Sequence, residues 1–454
     1  MRMLAVLALV LWFQQAHAGL APQVDAAITA RVEEELRETG APGAAVAILR
    51  DGEIVYLKGF GRTSVEEDGH PVTPDTLFRL GSTTKMMTAL VALDDAAAGR
   101  LDLDAPLRTY VKDLHPAIGK VTLRQLLTHT AGLAEGKPSV ESHDDAALGK
   151  MVLEWGKDAM FAPAGDVFSY TSPGYWLAGY VLERVHGKPY AEVMRERLFE
   201  PLGMPRSTLR PLEAITHPLA QGHEDQGADL KVVRPMAENT AQYPAGSVFS
   251  TARELAAFAA VLLNGGRSEG RQVLSPPAVH AFFTANVALP GGDGALYGFG
   301  LVSYPLAGTP VFEHGGVRRG YGSHLRFFPE KRGAIVLLTN RNGVTLGNTR
   351  ETITASVFGL TEPPPPEVPA APVTAAEARR YTGTYAHKDL ARATVLWDGR
   401  QLVLETEGKQ PLTRARGDTF RTAEGEEVTF VFRPGEERAR YLHRDLLSSV
   451  RTGG

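Results

Sequence analysis

Phe78-Arg79-Leu80-Gly81-Ser82-Thr83-Thr84-Lys85 reads as an extended segment that turns into a helix. Ser82 has the chemistry of an N-cap, residues 86–98 are strong helix formers, and Gly99 stops them. Residues i and i+3 share one helix face, so the spacing holds the Ser82 hydroxyl and the Lys85 ammonium within reach of each other, as a nucleophile and its base require. A serine hydroxyl is almost never ionised at neutral pH, and lysine becomes a useful base only where burial or a neighbouring cation lowers its pKa. The apolar residues Met86, Met87, Ala89, Leu90 and Val91 predict a buried start to this helix. No other serine in the chain has a lysine three residues on. Taken alone, the pair is also what a capped core helix would show.

Upstream, residues 24–39 have the pattern of an amphipathic helix ended by Gly40. Two apolar runs, 43–49 and 54–57, flank Asp51-Gly52, a strong hairpin signal. Downstream, residues 82–265 are mostly helical, with helices expected after Thr122, over 173–186 and 190–199, and over 251–263. Strands return at 320–328 and 334–339, and the second is a near-continuous apolar run of the kind buried on both faces. A final helix is expected over 349–358. Strands at both ends with helices between them predict an α/β (α+β) catalytic domain over 19–360. Its antiparallel sheet draws on both ends of the domain, helices flank it, and a mostly helical subdomain is inserted. The proline-rich stretch 361–373 reads as a stiff linker. Beyond it, 374–454 alternates short strands with turn signals, as in a small antiparallel, barrel-like β domain.

The chain has 454 residues, 43% of them hydrophobic and 22% charged, with a net charge of −4 and no basic tract. Nucleic acid is thereby excluded as an expected partner. Residues 1–18 combine an early arginine, an apolar run and Ala16-His17-Ala18, the pattern of a cleavable signal peptide too short to span a bilayer, so a secreted or periplasmic protein without a stable membrane span is expected. The chain has no cysteine and therefore no disulfide framework.

Two further stretches carry chemistry. Tyr170-Thr171-Ser172 precedes a helix, and a tyrosine beside a lysine can relay or accept the nucleophile's proton, with its own pKa lowered if that lysine is charged. His314-Gly315-Gly316-Val317 leads towards the last strands; paired glycines allow close backbone approach, and a histidine there can hydrogen-bond an oxyanion or a leaving group. Together and in this order, Ser82/Lys85, Tyr170/Ser172 and His314/Gly316 resemble the three motifs of the serine β-lactamase-related superfamily. The likeness is to its branch of class C β-lactamases, DD-peptidases, esterases and D-aminopeptidases. Leu126 to Leu133, Pro201-Leu202-Gly203-Met204, Pro244-Ala245-Gly246-Ser247 and Leu338-Thr339-Asn340 are similar to that family's connecting segments. The linker and terminal β domain resemble the lipocalin-like appendage of some D-aminopeptidase and esterase relatives.

The resemblance implies a β-lactamase/transpeptidase-like fold and an acyl-enzyme formed on Ser82. Lys85 and Tyr170 would share the proton, the backbone N–H groups of Ser82 and Val317 would form the oxyanion hole, and Ser172, His314, Gly315 and Gly316 would bind substrate. No cofactor is implied. A lysine usually stands where His314 does, and an asparagine is common where Ser172 does; both departures weaken recognition of penicillins. An esterase or a peptidase acting on D-amino-acid or short peptide bonds is therefore expected ahead of a β-lactamase or DD-carboxypeptidase. Two rivals stay open: a non-catalytic scaffold that uses the cleft to hold a ligand, and a chain whose terminal β domain is the main binder. Gly266-Arg267-Ser268-Glu269-Gly270 matches a nucleophile elbow in letters, but a helix precedes it where a strand is required, and it reads as a surface loop. His143-Asp144-Asp145 and His223-Glu224-Asp225 lack the spacing of a metal site, so no metal is expected. His129 reads as a structural residue beneath the active-site region. Oligomeric state is left open.

Overall fold

The structure, a computed structural model, describes residues 19–136, 142–236, 238–361, 372–388 and 390–453. The expected signal peptide and most of the expected linker lie outside these residues. Helix α1 (Pro22–Thr39) ends on Gly40 in the left-handed conformation. Strands β1 (Gly43–Arg50) and β2 (Glu53–Gly61) pair through a turn in which Asp51 and Gly52 both have positive φ, as the Asp-Gly signal demands. The helical region follows, with α2 (Thr84–Ala97), α3 (Leu123–Leu127), α4 (Ser172–His186) and α5 (Ala252–Leu263). Thr122 and Gln125 form a reciprocal capping box on α3, and Thr251 caps α5 through the Glu254 N–H. The helix expected over 190–199 is regular only over Tyr190–Met194 and widens to a π turn over Arg195–Phe199.

Six more strands complete the main sheet: β3 (Ala285–Ala288), β4 (Leu296–Gly298), β5 (Val302–Leu306), β6 (Thr309–Arg318), β7 (Tyr321–Phe328) and β8 (Gly333–Thr339), followed by α6 (Gly347–Phe358). Strand order is β2-β1-β8-β7-β6-β5-β4-β3, so the first and last parts of this domain meet at β1 and β8, which pair antiparallel from Ala44 opposite Thr339 to Leu49 opposite Ala334. Alternation along these two strands separates the cores. Ala45, Ala47 and Leu49 of β1, with Val336 and Leu338 of β8, face the helical region. Val46, Ile48, Ile335 and Leu337 face α1 and α6. A strand buried on both faces must be apolar throughout, which explains the continuous run at 334–338.

The remaining chain forms a closed antiparallel barrel of eight strands: β9 (Gly383–Ala386), β10 (Ala393–Trp397), β11 (Leu402–Glu405), β12 (Lys409–Arg416), β13 (Thr419–Arg421), β14 (Glu427–Val431), β15 (Tyr441–Arg444) and β16 (Leu447–Gly453). Pairing of β9 with β16 closes it, and Tyr381, Tyr385, Phe420 and Phe430 lie in its core.

Helices α1 and α6 come from opposite ends of the first domain and are joined by one buried carboxylate. Glu35 is 5% exposed and accepts the N–H groups of Asn348 (3.0 Å) and Thr349 (2.7 Å), two otherwise unpaired donors in the first turn of α6. Replacing Glu35 with alanine leaves the buried Thr349 N–H and the part-buried Asn348 N–H without this acceptor. A loss of about 1–3 kcal/mol is expected from the midpoint of urea unfolding, and Glu35→Gln should recover part of it.

Candidate active site

Ser82 lies at the centre of a 3-10 turn, Gly81–Thr83, that runs directly into α2. This differs from the expected N-cap. The backbone of Ser82 is already helical and its side chain caps no N–H, so its hydroxyl is free for other partners. Lys85 Nζ stands 3.1 Å from Ser82 Oγ and donates to the Ala245 carbonyl at 2.9 Å. Lys85 is fully buried. Burial pulls its pKa down to about 7, assisted by the positive field of Arg318 and opposed by the carboxylate of Glu135.

The segment before α4 brings Tyr170 over the pair. Its hydroxyl is hydrogen-bonded to Ser82, and Lys85 Nζ lies 4.8 Å from its ring centroid. Burial raises the Tyr170 pKa above its ordinary value despite the Ser82 hydrogen bond. A lowered tyrosine pKa is expected only beside a charged lysine; here desolvation outweighs the Ser82 hydrogen bond, and Glu135 adds to the rise. His129 supports this segment from beneath. Its Nδ1 accepts the Thr171 N–H at 3.1 Å, its Nε2 meets Tyr297 Oη at 3.1 Å, and its ring centroid is 4.3 Å from that of Tyr170. Burial, with Lys85 and His314 nearby, holds His129 well below the usual histidine range.

Strand β6 supplies the opposite wall. Its pairing with β5 stops at Glu313, so residues 314–318 carry a partner on the β7 side alone. The third motif thus lies on a local open edge inside an eight-stranded sheet. Alternation puts His314, Gly316 and Arg318 on the face towards the serine turn. A Cβ on Gly316 would fall 2.0 Å from the Leu80 carbonyl oxygen and 2.4 Å from Ser323 Oγ. A Cβ on Gly81, whose φ is +56°, would fall 2.6–2.7 Å from the Val317 backbone. Ser323 Oγ donates to the Leu80 carbonyl at 2.6 Å and fastens the turn to the sheet. The His314 ring donates from Nδ1 to the Gly315 carbonyl at 2.5 Å, which leaves Nε2 as an acceptor. Burial, then Lys85, lowers its pKa to about 3, so it is neutral near pH 7.

These contacts bring Ser82, Lys85, Tyr170, His314, Gly316 and the Val317 backbone together; Ser172 lies at the start of α4, two residues past Tyr170, and Gly315 faces the other side of the sheet, towards His324. Three further contributors were not singled out from the sequence. Glu135, from a loop without periodicity, accepts the Ser172 N–H at 2.8 Å at the start of α4. Arg318 is one step further along the alternation that places His314 and Gly316, a signal the sequence does hold. The third is the β15–β16 turn of the barrel: the Leu446 carbonyl accepts the Tyr170 N–H at 2.8 Å, and Ser448 donates from N to Ser169 Oγ at 3.1 Å and from Oγ to the Phe168 carbonyl at 2.8 Å. The rejected motifs are engaged elsewhere. Ser268 lies in a two-residue hairpin strand, Asp144 pairs with Lys150, Asp145 with Arg210, Glu224 with Arg319, and Asp225 with Arg341.

A serine beside a buried lysine of lowered pKa, at the mouth of a helix facing an open strand edge, defines a serine hydrolase of the β-lactamase fold class. The β-lactamase sequence family matches residues 24–359, and the chain belongs to it. It is similar to a D-aminopeptidase of Gluconobacter oxydans, 28% identical over 423 residues, covering 89% of this chain and 76% of the relative. It is also similar to esterase EstB of Burkholderia gladioli, 30% identical over 371 residues, covering 71% and 91% respectively. The crystal structure of SurE with D-Leu superposes with a TM-score of 0.76 at 26% identity, covering 95% of this chain and all of that one. That coverage takes in the barrel as well as the first domain. Among the described residues, no helix is long and apolar enough to cross a membrane.

Gly316→Ala is expected to push β6 away from the serine turn without unfolding either domain. Labelling of Ser82 by a fluorophosphonate should slow by about 10²-fold or more, as for a misplacement of this size beside a reacting atom, with the far-ultraviolet circular dichroism unchanged.

Proposed function

We propose that the protein hydrolyses ester or amide bonds of D-amino-acid or short peptide substrates through an acyl-enzyme on Ser82. The observation that carries this reading is the 3.1 Å contact between Ser82 Oγ and the Nζ of a fully buried Lys85 whose pKa is near 7. At pH 7 and above, a large share of Lys85 is neutral and able to accept the Ser82 proton as Oγ attacks the carbonyl carbon. Tyr170, hydrogen-bonded to Ser82, relays that proton to the leaving group, and water then attacks the acyl-enzyme to restore Ser82. The N–H groups of Ser82 and Val317 would hold the oxyanion; the packing of Gly81 against Val317 supports this by bringing the turn and the strand together. Ser172, His314, Gly315 and Gly316 would line the substrate groove.

The substrate preference rests on charge and on relatives. His314 is neutral and cannot hold a carboxylate as a lysine would, and Ser172 has no amide, so penicillin-like substrates are disfavoured. A D-aminopeptidase and a structure with D-Leu among the relatives favour D-configured substrates, and an esterase among them favours activated esters. The leader at residues 1–18 supports export to the periplasm or medium.

Intact-mass analysis after fluorophosphonate treatment should show one adduct, absent in Ser82→Ala, and turnover should favour a p-nitrophenyl ester or a D-amino-acid anilide over nitrocefin. A wild-type protein that neither labels nor turns over any of the three would remove the acyl-enzyme reading. The pH profile tests the base. Protonated Lys85 cannot accept a proton, so kcat/KM should rise tenfold per pH unit up to about 7 and level off above it. Lys85→Met should lose that limb and about 10²–10⁴ of the rate.

A further inference from the structure

Arg318 occupies the same face of β6 as His314 and Gly316, one residue beyond Val317. Its Nη2 donates to Glu238 Oε1 and to Gln242 Oε1, each at 2.9 Å, which fixes the plane of the guanidinium. Glu238 is fully buried and already has a cation, since Arg79 pairs with its other oxygen. Ser247 Oγ (2.8 Å) and the Asn239 N–H (3.0 Å) also donate to it. Two guanidinium groups on one carboxylate leave a net positive charge, and Arg318 is the more exposed of the two, at 22% against 3% for Arg79. Among the described residues, nothing accepts from Nε or Nη1 of Arg318. The Val317 backbone packs on Gly81 beside Ser82, so Arg318, the next residue, follows directly on the stretch that meets the nucleophile's turn.

The two ends of this strand face differ in chemistry. His314 lies beside Tyr170, with ring centroids 6.0 Å apart, and the leaving group must take its proton at that end. Arg318 lies four residues, or about 13 Å, further along the strand, past the Val317 N–H. It therefore faces the acyl portion of a substrate, not the leaving group. Building on the acyl-enzyme reading, we propose that Arg318 is a specificity residue and that the enzyme selects acyl groups ending in a carboxylate, held by one charge-assisted hydrogen bond from a free N–H of its guanidinium. With Nη2 held by Glu238 and Gln242, both bidentate edges of the guanidinium are taken, and what is left is a fixed cation with single donors, suited to one charge-assisted hydrogen bond to a carboxylate oxygen.

Isosteric esters test this directly. Wild-type kcat/KM should favour mono-p-nitrophenyl adipate over p-nitrophenyl hexanoate by about tenfold or more, as for a charge-assisted pair in a partly buried site. In Arg318→Gln that ratio should fall to about two or less, mainly through KM, and Arg318→Lys should retain part of it. Glu238 keeps Arg79, Ser247 and Asn239 in both variants, so folding should survive, and thermal unfolding would verify that. A wild-type ratio near one, or an equal loss on both esters in Arg318→Gln, would overturn the proposal. Calorimetric binding of adipic acid monoamide and hexanamide to Ser82→Ala, with and without Arg318→Gln, reads the anion site without turnover. Arg318-dependent preference there, with no wild-type hydrolysis of either ester, would discard the acyl-enzyme and keep the site; hydrolysis without that preference would do the reverse.

Discussion

The cleft depends on two backbones meeting with no side chain between them. Gly81 lies on Val317 and Gly316 lies on Leu80, so the turn carrying Ser82 presses against the one stretch of β6 that lacks a neighbouring strand on its outer side. Each glycine is required for a different reason. Gly81 must adopt a positive φ as well as avoid the strand, whereas Gly316 has ordinary strand geometry and is excluded from bearing a Cβ by contact alone. Gly316 of the third motif, with Gly81 opposite, is thus a steric condition for the serine turn to reach the strand. A substrate carbonyl can be held there only because β5 ends its pairing at Glu313 and leaves the edge of β6 unused.

Burial then sets the charges. Lys85, His129 and His314 are all driven towards their neutral forms, the first to about 7 and the last to about 3. Desolvation is the leading cause in each; Lys85 lowers both histidines further, and His314 lowers His129, because a cation nearby disfavours a second one. Tyr170 is kept protonated by the same desolvation. Fixed charge is left to Arg318, anchored on Glu238, with Glu135 of opposite sign acting on Lys85 from the other side. A buried lysine between a carboxylate and a guanidinium feels opposing fields, so its protonation is set mainly by the loss of water.

Much of this was legible in the sequence where a local rule acts alone. The Asp51-Gly52 turn, the Thr122 and Thr251 caps, the apolar β8 and the Ser82/Lys85 spacing each follow from residues adjacent in the chain, and the sheet drawn from both ends of the domain follows from the placement of apolar runs. The departures arise where tertiary contacts decide. Ser82 looks like a cap, but the turn begins one residue earlier because Gly81 can take a left-handed conformation, so the helix needs no cap at Ser82. The Tyr170 pKa rises through burial: proximity to lysine was readable and depth of burial was not. Glu135 reaches the site from a loop with no periodicity, and its contact with the Ser172 N–H spans 37 residues.

The barrel is the clearest case of a constraint that no local pattern announces. Its β15–β16 turn, with Asp445 and Leu446 both at positive φ, reaches back 275 residues or more to the segment 166–170. Tyr441 Oη donates to Asp166 at 2.8 Å, Ser448 bridges Phe168 and Ser169, and the Leu446 carbonyl takes the Tyr170 N–H. The segment bearing Tyr170 is extended and lies outside every strand of the main sheet, so its backbone donors need partners from elsewhere. The barrel supplies one to the catalytic tyrosine candidate itself, while His129 supplies another to Thr171. Tyr170 is thus held between a histidine beneath it and a domain beside it, with its hydroxyl on Ser82.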